Sequence, residues 1–414
     1  MKRRIYGLIG RTLKHSYSVP IHRLLGTPDY RLIELEPEEL AAYLQRGDIG
    51  GLNVTIPYKR DVMKSCSSLD ETARAIGSVN TLVRRQDGSL KGYNTDACGF
   101  SYLAERAGIS FADRKVVIFG SGGASLTVRH VAKQSGASAV VVISRSGADN
   151  YENLARHADA EVLVNATPVG MYPNTGVLPA DPALFPDCKG VLDLIYNPRR
   201  TALLLRANEL GIPCSDGLPM LVAQAKAAEE LFFDREIPDA ENERILKELY
   251  RDMQNIVLVG MPGSGKNTVG SALGRIAGRA CVDLDAEIEK SAGRPIPEIF
   301  ASSGEEVFRR MEREQAAKWG KESGIILITG GGIVKDMRNF ASLRQNGRVY
   351  QIERQIRSLA RAGRPLSEHA DLFEMYRQRQ PLYERFRDAA VQNDGPAEAT
   401  AKAIWEDYCE HSDH

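Results

Sequence analysis

Residues 255–268 read NIVLVGMPGSGKNT. An apolar-rich run enters at Asn255 and ends at Gly260; Gly263, Ser264, Gly265, Lys266, Asn267 and Thr268 follow. The spacing G-x-x-x-x-G-K, with a buried strand before it and a helix predicted over Val269–Ile276, is that of a P-loop. Glycines let the backbone wrap a phosphate chain, amide N–H groups at the helix N-terminus point at it, and Lys266 adds charge. A plain Gly-rich turn with a surface lysine is the alternative, and the flanking strand and helix weigh against it. Position 267 is the departure. A P-loop carries Ser or Thr there, whose hydroxyl holds Mg²⁺. Asn is one atom longer, and Mg²⁺ demands octahedral ligands at about 2.0–2.1 Å. Thr268 faces about 100° away on a helix. Weakened Mg²⁺ use is the expectation.

Outward from this stretch, 414 residues are too many for one ordinary core, so two or three domains are expected. Lys plus Arg and Asp plus Glu number 54 each. That balance gives no global basic field for nucleic acid or an anionic membrane. The basic MKRR is followed only by Ile5–Ile9, a first strand rather than a signal peptide. No apolar run reaches membrane-spanning length. The six cysteines show no C-x-x-C spacing, which favours a reduced, cytoplasmic protein. An oligomer stays possible.

Before the P-loop, residues 1–97 alternate short strands with amphipathic helices. Leu52–Ile56 reads as a buried strand ended by Pro57. Val79–Arg84 and Ser89–Tyr93 form a hairpin around Asp87-Gly88. A βαβ rhythm follows over 98–217: an apolar run Lys115–Phe119, the turn Gly120, Ser121, Gly122, Gly123, then a helix from Ala124. NAD sites usually carry a carboxylate at the end of the second strand. Here Ser144-Arg145-Ser146 stands there, which suits a 2′-phosphate and hence NADP. Arg145 as a solvated surface charge is the bland alternative. Residues 218–235 read as an amphipathic helix. Residues 239–253 are polar and helical and read as a linker rather than core, with the last domain over 254–414.

Eight stretches resemble shikimate dehydrogenase, in order, over residues 1 to about 235: GRTLKHSYSVPIH, NVTIPYK, GSVNTL, GYNTDACG, GSGGAS, NATPVGM, DLIYNPRRTALL and GLPMLVAQA. The resemblance implies a two-lobed dehydrogenase with a Rossmann-type NADP lobe, reducing 3-dehydroshikimate to shikimate with NADPH. It implies that Ser16 and Ser18 bind the substrate carboxylate, that Thr55, Asn80 and Gln224 hold ring hydroxyls, and that Lys59 and Asp96 are catalytic. Tyr196, Met220 and Gly217 would line the nicotinamide and substrate cleft. Gly120 to Ala124, Ser144, Arg145 and Thr167 would hold the cofactor. The chemistry agrees: hydride delivery to a ketone builds charge on oxygen, which a lysine can stabilise and protonate while a carboxylate orients it. Singly, Lys59 would pass for a surface lysine and Asp96 for an Asx-turn residue. Ser144 replaces the family's usual Asn. His15, Cys98 and the other lone His and Cys residues read as packing or surface residues.

After the P-loop, CVDLDAEIE, IPEIFASSGEEVFRRMERE, ITGGGIV, GRPLSE and RQPLYE resemble shikimate kinase over 255 to about 405. The resemblance implies a parallel-sheet P-loop domain that phosphorylates the shikimate 3-hydroxyl with ATP and Mg²⁺. Asp285 would meet the reacting hydroxyl and Asp283 would lie near the metal with Asn267. Arg309 and Arg379 would clamp the carboxylate, and Gly330, Gly331 and Gly332 would cradle the ring. Arg364 would close over the phosphates, and Arg361 is a candidate adenine contact. Planar arginines suit bidentate carboxylate capture, and phosphoryl transfer needs positioning more than covalent chemistry. The preferred reading is a bifunctional enzyme. One rival makes the second half a binding or regulatory module impaired at Asn267; another lets the first half accept quinate or NAD.

Overall fold

A computed structural model describes residues 4–13, 16–359 and 372–411. The chain divides into two compact units. The first comprises Met1–Val169, Leu178–Tyr196 and Arg206–Leu246; the second comprises Gly170–Val177, Asn197–Leu205 and Lys247–His414. Arg364 and Arg361, with His15, lie outside the described residues.

The first unit holds two sheets. One contains β1 (Ile5–Gly10), β2 (Arg31–Glu34), β3 (Ile49–Val54), β4 (Ser68–Leu69), β5 (Thr81–Arg84) and β6 (Leu90–Tyr93), in the order β2-β1-β3-β5-β6-β4. The hairpin expected around Asp87-Gly88 is β5–β6, with Gly88 at φ +83°. Helices α1 (Ser18–Leu24), α2 (Pro37–Leu44), α3 (Glu71–Ile76) and α4 (Asp96–Arg106) connect these strands or follow them. Ile9, Leu52, Val54 and Leu82 bury one face of the sheet in a common core.

The other sheet contains β7 (Lys115–Phe119), β8 (Ala139–Ile143), β9 (Val162–Asn165), β10 (Gly190–Asp193) and β11 (Cys214–Ser215), in the order β11-β10-β9-β7-β8. All its pairs are parallel. The near-continuous apolar runs of β7 and β9 fit strands covered on both faces. The Gly-rich turn joins β7 to α5 (Gly123–Gln134), where β8 and β9 flank β7 on opposite sides. Strand order reverses there, which opens a crevice at the strand ends.

The division between units falls within α6 (Ala202–Glu209) and within α8 (Ala240–Met253). Between them, α7 (Leu218–Phe233) packs on α1, α4, β3 and β5. Gly99 permits its approach to α4, since a Cβ there would lie 2.5 Å from the Met220 carbonyl oxygen. That approach sets Asp96 beside Gln224. The linker expected over 239–253 differs from its reading. On α8, Ile245, Leu246, Leu249, Tyr250 and Met253 are buried. Their spacing is a helical apolar stripe inside a charged composition.

The second unit has one parallel sheet: β12 (Asn255–Val259), β13 (Cys281–Asp283), β14 (Ile326–Ile328), β15 (Gly347–Glu353) and β16 (Ala389–Gln392), ordered β13-β14-β12-β15-β16. Its helices are α9 (Lys266–Ala277), α10 (Leu284–Ala292), α11 (Ile296–Gly320), α12 (Arg338–Arg344), α13 (Leu372–Phe386) and α14 (Ala397–His411). The central strand β12 feeds the P-loop into α9, so the phosphate cradle stands at the middle of the sheet's C-terminal edge. Among the described residues no helix is long and apolar enough to cross a membrane.

Two candidate active sites

In the first unit a cavity of about 410 Å³ gathers most of the expected substrate residues: Ser16 and Ser18 before and at the start of α1, Thr55 and Lys59 after β3, Asn80 before β5 and Asp96 at the start of α4. Tyr196, Gly217, Met220 and Gln224 also line it, with Ala124 from α5. Lys59 Nζ lies 2.5 Å from Asp96 Oδ2. Asn80 Nδ2 donates to Asp96 Oδ1 at 2.9 Å and to Gln224 Oε1 at 3.0 Å. Asn80 Oδ1 accepts from the Thr95 N–H at 2.7 Å and from Thr81 Oγ1 at 3.1 Å. The ammonium, the carboxylate and two amides thus form one hydrogen-bonded cluster.

Gly120, Ser121, Gly122, Gly123, Ser144, Arg145 and Thr167 lie outside this lining, on the turns after β7, β8 and β9. Gly120 has φ +102°, and a Cβ there would meet Thr167 Cγ2 at 2.8 Å. Asn165 Oδ1 accepts from the Thr167 hydroxyl at 2.6 Å. At Gly122 and Gly123 a Cβ would meet open space, so the turn leaves room for a phosphate ahead of the α5 N-terminus. The open turn fits a phosphate group, and Arg145 follows the end of β8.

Asn53 and His22, outside the expected site residues, are both on the cavity wall. Asn53 lies two residues before Thr55, so strand alternation carries it to the same face. His22, grouped with packing residues, is buried, and its Nδ1 lies 2.6 Å from Glu229 Oε1.

In the second unit a cavity of about 220 Å³ brings together Gly263, Lys266, Asn267, Asp285, Arg309, Gly330, Gly331, Gly332 and Arg379. Gly260, Ser264, Gly265, Thr268 and Asp283 do not line it. Lys266 Nζ donates to the Gly260 and Met261 carbonyls at 2.8 and 3.1 Å, which holds it against the loop. The three-glycine turn is a close-approach surface. A Cβ at Gly330 would lie 2.6 Å from Asp285 Oδ1, and one at Gly332 would lie 2.5 Å from Arg309 Nη1. Arg379 Nη1 and Tyr383 Oη both donate to the Gly331 carbonyl, at 2.9 and 2.6 Å.

Burial lifts the Asp285 carboxyl to about 6; the neighbouring Asp283 charge adds to this and Lys266 opposes it. Glu312, absent from the sequence reading, also lines the cavity. It stands one helical turn beyond Arg309, whose Nη1 lies 2.7 Å from its Oε2. Burial pushes it up to about 7 against the pull of Arg309. Asn267 Nδ2 donates to Asp283 Oδ2, and Asp283 Oδ1 accepts the Asp285 N–H at 3.0 Å and the Ala286 N–H at 3.4 Å. Among the described residues no group of three or more His, Cys, Asp or Glu side chains could hold a metal ion.

Known proteins match both halves. Residues 8–82 match the family model described as shikimate dehydrogenase substrate binding domain, and 262–409 match that of shikimate kinase. A shikimate dehydrogenase (NADP(+)) of Clostridium perfringens is 33% identical over 267 residues, covering 59% of this chain and 98% of the relative. The crystal structure of a chorismate mutase/shikimate 5-dehydrogenase fusion protein from Clostridium acetobutylicum is 36% identical, with TM-score 0.58, over 60% of this chain and 97% of that one. Shikimate 5-dehydrogenase from Thermus thermophilus, in complex with NADP(H) and shikimate, is 27% identical with TM-score 0.53, over 58% of this chain and 98% of that one. The chain therefore belongs to the shikimate dehydrogenase family, and it carries a shikimate kinase domain in the same polypeptide.

Proposed function

We infer that this is a bifunctional enzyme of the shikimate pathway: it reduces 3-dehydroshikimate to shikimate with NADPH and then phosphorylates shikimate at its 3-hydroxyl with ATP. The observation that carries the first half is the 2.5 Å Lys59–Asp96 pair on the wall of a hydroxyl- and amide-lined cavity. Bound NADPH supplies the hydride. Lys59 gives its proton to the oxygen that gains charge, and Asp96 holds the ammonium in line. Ser16 and Ser18 receive the substrate carboxylate, while Thr55, Asn80 and Gln224 take ring hydroxyls.

In the second half Arg309 and Arg379 clamp the shikimate carboxylate beside the Gly330–Gly332 turn. Asp285 accepts the proton of the attacking hydroxyl, a role suited to a carboxyl lifted to about 6. Lys266 and the P-loop amides take the phosphates. Arg364, as the lid arginine, belongs to the proposal through its sequence alone. Mg²⁺ is the finer point. An amide N–H on Asp283 stands where a P-loop hydroxyl would receive a cation. That donor set does not fit direct Mg²⁺ ligation of the usual kind, so metal use is weakened. The reading includes a cytoplasmic location, supported by six free cysteines. Incubation of 3-dehydroshikimate with NADPH, ATP and Mg²⁺ tests the whole: both shikimate and a phosphorylated product should form.

A further inference from the structure

Behind the dehydrogenase cavity lies a buried histidine–glutamate pair that the mechanism above does not use. Glu229, on α7, is fully buried, and His22, on α1, is 1% exposed. Besides the His22 ring, Glu229 accepts from the Thr27 hydroxyl at 2.8 Å, and Arg235 Nη2 stands 3.8 Å away. An apolar pair would fill this volume without the cost of burying a carboxylate. The His22 ring stacks on Tyr30, with centroids 3.7 Å apart and planes 5° from parallel. The Tyr30 hydroxyl donates to Asn53 Oδ1 at 2.7 Å, and Asn53 Nδ2 donates to Thr81 Oγ1 at 3.1 Å. A primary amide has two N–H groups and one oxygen. The Asn53 side chain also hydrogen-bonds with the His22 ring. With the oxygen engaged by Tyr30 and one N–H by Thr81, the amide cannot flip. Thr81 in turn donates to Asn80, which donates to Asp96. The chain of hydrogen bonds therefore runs from the cavity wall to the lysine's partner.

We propose that His22, anchored by Glu229 and stacked on Tyr30, is a positioning residue for the dehydrogenase: it holds the Asn53 amide in one orientation on the cavity wall, where the hydroxylated acid meets it. This rests on the dehydrogenase reading. The ring acts through two features of its own. A carboxylate can only accept, so Nδ1 carries the proton toward Glu229 and fixes the ring plane. That plane sets the Tyr30 ring, and hence the direction of the Tyr30 hydroxyl.

The test uses the full chain in NADP⁺-linked oxidation of shikimate, with KM measured separately for each substrate. His22→Phe keeps an aromatic ring but loses both nitrogens; it should raise the KM for shikimate about tenfold, the effect of a buried hydrogen bond left unmade, and leave that for NADP⁺ within about twofold. Tyr30→Phe keeps the stack and removes only the hydroxyl; it should raise the KM for shikimate about fivefold with the fold intact. Glu229→Gln retains an acceptor for Nδ1 and should fall between wild type and His22→Phe. A KM for shikimate within about twofold of wild type in Tyr30→Phe and in every His22 variant that folds would overturn the proposal, whatever happens to the melting temperature. A wild-type chain that cannot oxidise shikimate would overturn the dehydrogenase reading, and the proposal with it.

Discussion

Lys59 and Asp96 meet at 2.5 Å although 37 positions separate them, and Asn80 occupies the second oxygen of the same carboxylate at 2.9 Å. The ammonium is therefore aimed by a carboxylate that is itself immobilised. Lys59→Ala should lower dehydrogenase kcat by about 10²–10⁴-fold, the usual contribution of a positioned proton donor. Asp96→Asn keeps the shape and removes the charge, and should lower kcat in the same direction. Steady-state assays of NADPH oxidation, with kinase turnover measured alongside, check both; the kinase rate should not change.

Arg145, after β8, is the proposed partner of the cofactor's further phosphate. Arg145→Ala should raise the KM for NADPH about tenfold or more and leave that for NADH nearly unchanged, because only the former loses a charge-assisted phosphate contact. A parallel rise for both cofactors would assign Arg145 a different role. Comparing quinate with shikimate in the oxidation direction, with NADP⁺ as hydride acceptor, fixes substrate preference.

The kinase should show an acidic limb near pH 6. Asp285, lifted to about 6 by burial, must be ionised to accept a proton, so kinase kcat/KM should rise with pH through that region. Asp285→Asn should abolish the limb together with most of the activity.

Glu312 carries a stability signature with the opposite sense. Its folded value of about 7 exceeds the ordinary value of 4.5, so the folded state binds the proton more tightly. The stabilisation is complete below about 4.5 and is lost as pH rises through about 7. Glu312→Gln should remove this dependence from urea unfolding of the full chain measured between about pH 4.5 and 8.

Asn267→Ser should restore the hydroxyl that a P-loop offers to Mg²⁺. A lower Mg²⁺ requirement in the kinase assay, and tighter Mn²⁺ binding in the presence of a non-hydrolysable ATP analogue, are the expected outcomes. Unchanged rate and unchanged metal affinity would remove Asn267 as the cause of any weakness.

Much of this was legible in the chain because the signals are local. The strand Asn255–Val259, the glycine turn and the helix from Lys266 follow one another directly, and period and glycine placement define them. Asn53 and Glu312 were within reach: strand alternation from Thr55 and a single helical turn from Arg309 lead to them. The stripe on α8 was hidden by composition, since charged residues surround five buried apolar ones. His22 and Glu229 lie 207 positions apart, one on a short helix and one on a long one. Each alone resembles an ordinary polar residue, and only the packing of α1 against α7 makes them a pair. Likewise the amide–carboxylate bond of Asn267 depends on β13 ending beside the P-loop helix.

One chain carries out two successive reactions on the same small hydroxylated acid. Following 3-dehydroshikimate, shikimate and shikimate 3-phosphate over time, in one vessel with NADPH, ATP and Mg²⁺, tests it most directly. NADPH oxidation should come first, followed by ATP-dependent formation of shikimate 3-phosphate. Absence of NADPH oxidation, or shikimate accumulating to completion with no phosphorylated product, would contradict it.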